Sequence, residues 1–323
     1  MKRIVVVGSI NLDLVATTRH IPRAGETVAG SGFQTFPGGK GANQAVAAAR
    51  VGASVCMIGK VGTDSFGSRL KTDLAEQGVD VSCVSRVAGP SGVALINTDS
   101  NGENAITVVA GANGALRPAD LETNIALIRT AGVLLTQLEI PLETVECLSK
   151  IALEEEIPLV LDPAPAQPLP HSLVQNVTWL TPNESESSIL LGSPAQHIAD
   201  QDLTSIANSL LQLGSRNVIL KIGSRGAYIA SADGTREFIP AYKVCPTDTT
   251  AAGDAFNGAF AVGLVQGKSP IESAGYASAA AAISVTRAGA QPSMPTRGEV
   301  EQFLRDSKTT KNGKEPKEHI PLK

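Results

Sequence analysis

The stretch Ile4-Val5-Val6-Val7-Gly8-Ser9-Ile10-Asn11-Leu12-Asp13 runs from consecutive apolar residues into a small, polar end. Successive strand side chains point to opposite faces, so a strand with one wet face alternates apolar and polar residues. A strand apolar at every position is buried on both faces, as in a parallel sheet. Similar runs occur at Val133–Leu138, Leu159–Leu161, Val177–Leu180 and Val218–Ile222. Between them, Leu142-Val145-Leu148 with Leu153, and Leu203-Ile206-Leu210-Leu213, repeat near the helical period. This alternation predicts an α/β fold, a mostly parallel sheet flanked by helices on both sides.

Each run closes on polar or small groups: Ser9, Asn11 and Asp13, then Gln137 and Glu139, Asp162, Asn183 and Glu184, and Gly223-Ser224. In open α/β sheets ligands bind outside the carboxyl ends of the strands, so these ends predict one long cleft. Any one of them alone is also what an ordinary turn looks like. Glu26–Phe36 and Gly92–Val109 read as short strands without intervening helices. They predict a small β-sheet outside the main one, formed by roughly 13–38 and 92–110. Lying over the strand ends it would be a lid that excludes water from the cleft.

The chain has 323 residues, 42% of them hydrophobic and 18% charged, which is ordinary for a globular protein. A net charge of −4 argues against a nucleic-acid partner, which calls for a concentrated basic face. Cys56, Cys83, Cys147 and Cys245 form no Cys-x-x-Cys and no His pairing, so a reducing, cytoplasmic location is expected. No apolar run is long enough to span a membrane. Ser307–Lys323 is polar, lysine-rich and aperiodic, and is expected to be a disordered tail beyond a domain of residues 1–306.

Asp248-Thr-Thr-Ala-Ala-Gly-Asp-Ala-Phe-Asn-Gly258 leads a small-residue segment into an apolar helix. Unpaired amides and the positive dipole end at such a start make an anion site. A carboxylate there, Asp254, would repel a bound anion. It suits a base that takes a proton from a hydroxyl attacking a phosphate. Asp is also among the best helix caps, and the segment alone leaves both readings open. Gly38-Gly-Lys-Gly-Ala-Asn43 precedes a second helical pattern and lets the backbone approach a ligand closely, with Lys40 and Asn43 as donors. A plain glycine-rich turn is the alternative. Neither this segment nor Gly263-Leu-Val-Gln-Gly-Lys-Ser269 has Walker A spacing. Gly223-Ser-Arg-Gly226 reads as a hairpin turn or as a phosphate cradle. Asn183 with Glu186 reads as a helix start or as an organiser of Mg²⁺ waters.

Gly38–Ala45 and Asp248–Asp254 resemble the two signatures of the ribokinase family of carbohydrate kinases, and Thr181–Glu186 resembles its Asn-x-x-Glu motif. The similarity runs from Lys2 to about Leu304 with the motifs in order. The resemblance implies a doubly wound α/β domain whose β-lids pair in a homodimer. It implies transfer of a phosphoryl group from ATP to O5 of D-ribose, with Mg²⁺ required and K⁺ activating; 2-deoxyribose or another sugar or nucleoside is the alternative acceptor. Carried over by position, Asn11, Leu12, Asp13, Gly39, Lys40, Gly41, Ala42, Asn43 and Glu139 would hold the sugar. Asp254 would be the base, with Ala251, Ala252 and Gly253 as the anion hole. Asn183, Glu186, Lys221, Ile222, Gly223, Ser224, Arg225, Gly226 and Ser278 would serve the nucleotide, together with Gly253. Asp248, Thr250, Ser284, Arg287, Gly289 and Ser293 match a loop pair that binds K⁺. Departures from the family pattern are Ser278 for Asn or His, Thr247 for an apolar residue and Asp162 for Asn. An NAD-dependent oxidoreductase is disfavoured, since no Gly-x-Gly-x-x-Gly follows the first run. A non-catalytic sugar-binding protein would have no need of Asp254.

Overall fold

The apolar stretch at the start becomes β1 (Arg3–Val7), and Ile4, Val5, Val6 and Val7 are each fully buried. Ile4 and Val6 join one hydrophobic core while Val5 and Val7 join another, so the sheet is covered on both faces. The computed structural model describes residues 2–99, 102–192 and 203–311.

The chain continues through β2 (Asn11–Thr18), β3 (Gly30–Gly38), β4 (Val55–Gly62), β5 (Val79–Asp80), β6 (Val84–Val87) and β7 (Gly92–Thr98). Then come β8 (Asn104–Val109), β9 (Ala131–Thr136), β10 (Leu159–Leu161), β11 (Trp179–Leu180), β12 (Asn217–Lys221), β13 (Gly226–Ser231) and β14 (Arg236–Pro240). The main sheet has the order β14-β13-β12-β11-β10-β9-β1-β4-β5, with β6 on the far end of β4. It is parallel apart from the pairings of β13 with β12 and β14. From β1 the chain goes to β4 on one side and later to β9 on the other. Strand order therefore reverses at β1, and a crevice opens at its carboxyl end.

The second sheet, β3-β2-β7-β8, is the expected lid. Asn11 and Asp13, which read as the polar close of the first strand, belong to its strand β2, because β1 runs through Gly8-Ser9-Ile10 directly into it. Extended structure begins at Gly30, not at Glu26. Other differences are local. The run Val133–Leu138 leaves the strand after Thr136, where Leu138 N turns to donate to Ala164 O at 2.9 Å. The run Val177–Leu180 supplies only Trp179 and Leu180 to β11. Leu153, read as part of the buried stripe, is 48% exposed near the end of the helix Leu142–Glu154.

The domain boundary also moves. The last helix, Arg297–Lys311, extends into the stretch expected to be a tail. Arg297–Glu301 and Gln302–Asp306 contacts at helical spacing support it. The remainder of that stretch lies outside the described residues. No described helix is long and apolar enough to cross a membrane.

Candidate active site

Two helices meet at the crevice, and glycines decide how closely. The helix Lys40–Arg50 starts at Gly39, whose φ of 88° is in the left-handed region. A Cβ at Gly39 would lie 2.7 Å from Asn11 N, and one at Gly41 would lie 2.6 Å from Ser9 N. Only hydrogens at these positions let the helix start rest on the end of β1. Lys40 N can then donate to Glu139 Oε2 at 3.1 Å, and Gly41 N to Ser9 Oγ at 3.3 Å.

The helix Ala252–Val265 starts at Ala251, a left-handed non-glycine residue with φ 57°. Such strain persists where surrounding structure enforces it, and it clusters at functional sites. Ala252 N reaches Thr249 O at 3.3 Å, while no turn or cap bond occupies the amides of Ala251, Gly253 or Asp254. Of the three amides expected to form an anion hole, those of Ala251 and Gly253 are thus free and that of Ala252 is engaged. The capping alternative is not met, because Asp254 makes no cap bond and points inward. Its Oδ2 accepts from Asn43 Nδ2 at 3.0 Å and its Oδ1 from Gln44 Nε2 at 2.9 Å.

Gln44 is the organising residue that sequence reasoning passed over. Its Nε2 also donates to Asp162 Oδ2 at 2.9 Å, and its Oε1 accepts from Gln137 Nε2 at 2.6 Å. Asp162 Oδ1 in turn accepts from Lys221 Nζ at 2.9 Å. A chain of hydrogen bonds therefore links Asp254 through Gln44 and Asp162 to Lys221. Asn43 Oδ1 is buried without a partner, an acceptor suited to a ligand hydroxyl.

Burial pushes the Asp254 carboxyl up to about 6; Lys40 opposes this, Asp162 adds to it, and the Asn43 and Gln44 amides oppose it. Asp13 is pushed up to about 7 by burial, then by Glu139 and Asp254, and no protein donor offsets the push. Burial works against the Lys40 ammonium, but Asp254, Asp162, Glu139 and Glu186 outweigh it and hold the charge. Among the residues expected to hold a sugar, Ser9 Oγ donates to Glu139 Oε2 at 2.5 Å and Asn11 Nδ2 lies 3.5 Å from the same oxygen. Leu12 and Ala42 are core residues, so only their backbone is available to a sugar.

A cavity of about 540 Å³ is lined by Lys40, Asp162, Asn183, Glu186, Lys221, Gly223 and the segment Ala251–Asp254. Beside it, a cavity of about 430 Å³ shares Lys221, Gly223, Ala252 and Gly253, and includes Ser224, Gly226, Tyr242, Phe256 and Ser278. The polar space suits phosphates and the more apolar one suits a flat base. Ile222 is buried in the core, and Arg225 pairs with Glu184 at 2.5 Å, so neither offers its side chain to these cavities.

Gly223–Arg225 is a tight turn between antiparallel β12 and β13, as the hairpin alternative requires, and it also borders both cavities. Asn183 and Glu186 form a reciprocal capping box, with Glu186 N donating to Asn183 Oδ1 at 2.8 Å and Asn183 N to Glu186 Oε2 at 2.7 Å. The pair therefore starts a helix, but Glu186 is half-buried and not the solvated acid that the alternative supposes. Glu186 still lines the larger cavity, where burial raises its pKa against the pull of Lys221.

The predicted K⁺ residues lie on two adjoining segments. Asp248 accepts from Gly289 N at 2.8 Å and Thr250 N at 2.9 Å, and Val285 O accepts from Thr247 N at 2.7 Å. The Ser284 and Ser293 hydroxyls donate to Ala281 O and Ala290 O, and Arg287 pairs with Glu299. Side chains of Ser284, Arg287 and Ser293 are thus engaged within the protein. Among the described residues no group of three or more His, Cys, Asp or Glu is arranged to hold a metal.

Residues 1–297 match the pfkB family carbohydrate kinases. The chain is similar to the ribokinase of Bacillus subtilis, 43% identical over 305 residues, covering 94% of this chain and 100% of that one. It is also 36% identical over 302 residues to the deoxyribokinase of Salmonella typhi, covering 93% and 97%. Among solved structures, Arabidopsis thaliana ribokinase complexed with ribose and ATP matches with a TM-score of 0.87 and 34% identity, over 94% of this chain and 99% of that one.

Proposed function

Because this chain belongs to the pfkB family of carbohydrate kinases, we propose that it transfers the γ-phosphoryl group of ATP to O5 of D-ribose. The observation that carries this reading is Asp254, held by two amide donors beside amides left free at a helix start. Asn11, Asp13, Asn43 and Glu139 bind and orient the sugar hydroxyls. Asp254 accepts the O5 proton as O5 attacks and the phosphoryl group leaves ADP, and the free Ala251 and Gly253 amides take up charge on the phosphoryl oxygens. Lys40 and Lys221 add positive charge on the polar cavity. Little covalent chemistry falls to the protein, so positioning dominates.

Bound Mg²⁺ would neutralise phosphate charge. Glu186 lines the polar cavity with both oxygens already engaged by Asn183, which fits contact through water better than direct ligation.

ADP release with ATP, Mg²⁺ and a pentose panel tests the function. Asp13 is poised for two neighbouring hydroxyls, and loss of one leaves a buried group unpaired at about 1–3 kcal/mol. Ribose is expected to exceed 2-deoxyribose in kcat/KM. An equal or reversed order would favour the deoxyribose alternative, to which the Salmonella typhi relative also points.

We further propose that K⁺ activates, held by backbone oxygens of the Asp248–Thr250 and Ser284–Ser293 segments. Its support is the way Asp248 already ties these segments together beside the anion hole. Asp248→Ala is expected to lower activity and remove most K⁺ dependence. Equal ADP production in K⁺, Na⁺ and a bulky organic cation at constant ionic strength would remove this site.

The homodimer is proposed through the lid. Five of the nine large exposed apolar side chains among the described residues are on it: Phe33, Leu95, Ile106, Val108 and Val109. By register Phe33, Leu95 and Val109 share one face of the lid sheet and Ile106 and Val108 the other, and this concentration of exposed apolar side chains on one small sheet is the support for association there. The four free cysteines of the chain are consistent with work in the cytoplasm.

A further inference from the structure

Four chain crossings connect the lid to the main domain: Ile10–Asn11, Gly38–Gly39, Ser91–Gly92 and the turn Gly111–Ala115 after β8. All but the Gly38–Gly39 crossing meet at Asn113, which is 1% exposed. Its Oδ1 accepts from Ile10 N at 2.9 Å, and its Nδ2 donates to Ile10 O at 3.2 Å and to Asn11 Oδ1 at 2.6 Å. Both amides press on Gly92, where a Cβ would clash with Asn11 Oδ1 and Asn113 Nδ2.

A carboxamide is nearly symmetric in shape, so packing alone does not decide which end faces a ligand. Hydrogen bonding decides it here. With its oxygen held by Asn113, Asn11 turns its Nδ2 towards Glu139 Oε2. Resting on the ribose kinase reading above, we propose that Asn113 is a positioning residue for sugar recognition, fixing Asn11 as a donor to the sugar. The group so recognised is a sugar oxygen lone pair. Any hydrogen on that oxygen is directed instead to a carboxylate such as Glu139.

Asn113→Leu keeps the shape and removes the donor; Asn113→Ser shortens the side chain away from Asn11. Ribose Kd by calorimetry and KM for ribose and for ATP are measured on both. The expected result is a rise of about tenfold or more in ribose KM and Kd, with ATP KM unchanged. In an Asn11→Ala background the same substitutions should add nothing to ribose KM, because Asn113 acts through Asn11. Should the leucine variant fail to fold, the serine variant carries the same comparison. Unchanged ribose KM in a folded variant, an equal rise in ATP KM, or effects that multiply in the double variant would overturn the assignment. A wild-type protein that takes no ribose would instead overturn the kinase reading on which it rests.

Discussion

Asp254→Asn is expected to lower kcat by roughly 10²–10⁴ while ribose affinity stays near that of wild type. The amide keeps the shape but cannot take the O5 proton, and the free amides at Ala251 and Gly253 remain in place. Stability should move the other way. The folded-state pKa is raised from 3.8 to about 6, so this group favours the fold below pH 3.8 and that contribution is lost as pH rises through 6. Holding the charge buried at pH 7 then costs about 3 kcal/mol, which the neutral side chain avoids. Asn43, whose Oδ1 has no partner, can turn that oxygen to the new amide. The variant is expected to melt no lower than wild type at pH 7. Near-normal turnover would remove Asp254 from catalysis.

Gly41→Ala is the second substitution with a large expected effect. The added Cβ would lie 2.6 Å from Ser9 N and 2.7 Å from Gly8 C, both backbone atoms that cannot swing aside. Either the helix Lys40–Arg50 lifts or the end of β1 bends. Lys40, Asn43 and Gln44 move with the helix, and with them the partners of Asp254 and Glu139. Overpacking of this kind costs about 1–3 kcal/mol, measurable by urea unfolding. A displacement of about 1 Å near the reacting atoms is expected to lower kcat/KM about 10²-fold. Gly275, where an added Cβ would meet nothing within 4 Å, serves as control, and alanine there should stabilise its helix slightly. Normal kcat/KM in the Gly41 variant would mean that the close approach is dispensable.

Much of the sheet was legible because both-face burial leaves a plain mark: Ile4–Val7 can hardly be anything else. The start of the lid strand β2 was not, since Asn11 and Asp13 look like the polar close of a strand. Asp254 was ambiguous for a physical reason, because a cap and a base both place a carboxylate at a helix start. The contacts from Asn43 and Gln44, more than two hundred residues away in the chain, turn its carboxylate inward and remove the cap reading. Gln44 and Asn113 carried no signal of their own. A buried amide is neither charged nor apolar, and its partners lie far off in sequence.

Asp13 and Asp254, with pKa values of about 7 and about 6, also make the free enzyme a reservoir of exchangeable hydrogen ions near neutrality. A sugar that donates its hydroxyls to Asp13 favours the ionised carboxylate and so discharges part of that reservoir into the solvent. On the proposed role of Asp13, substrate capture is expected to be an acid–base event as well, with an apparent enthalpy that varies with the buffer receiving the proton.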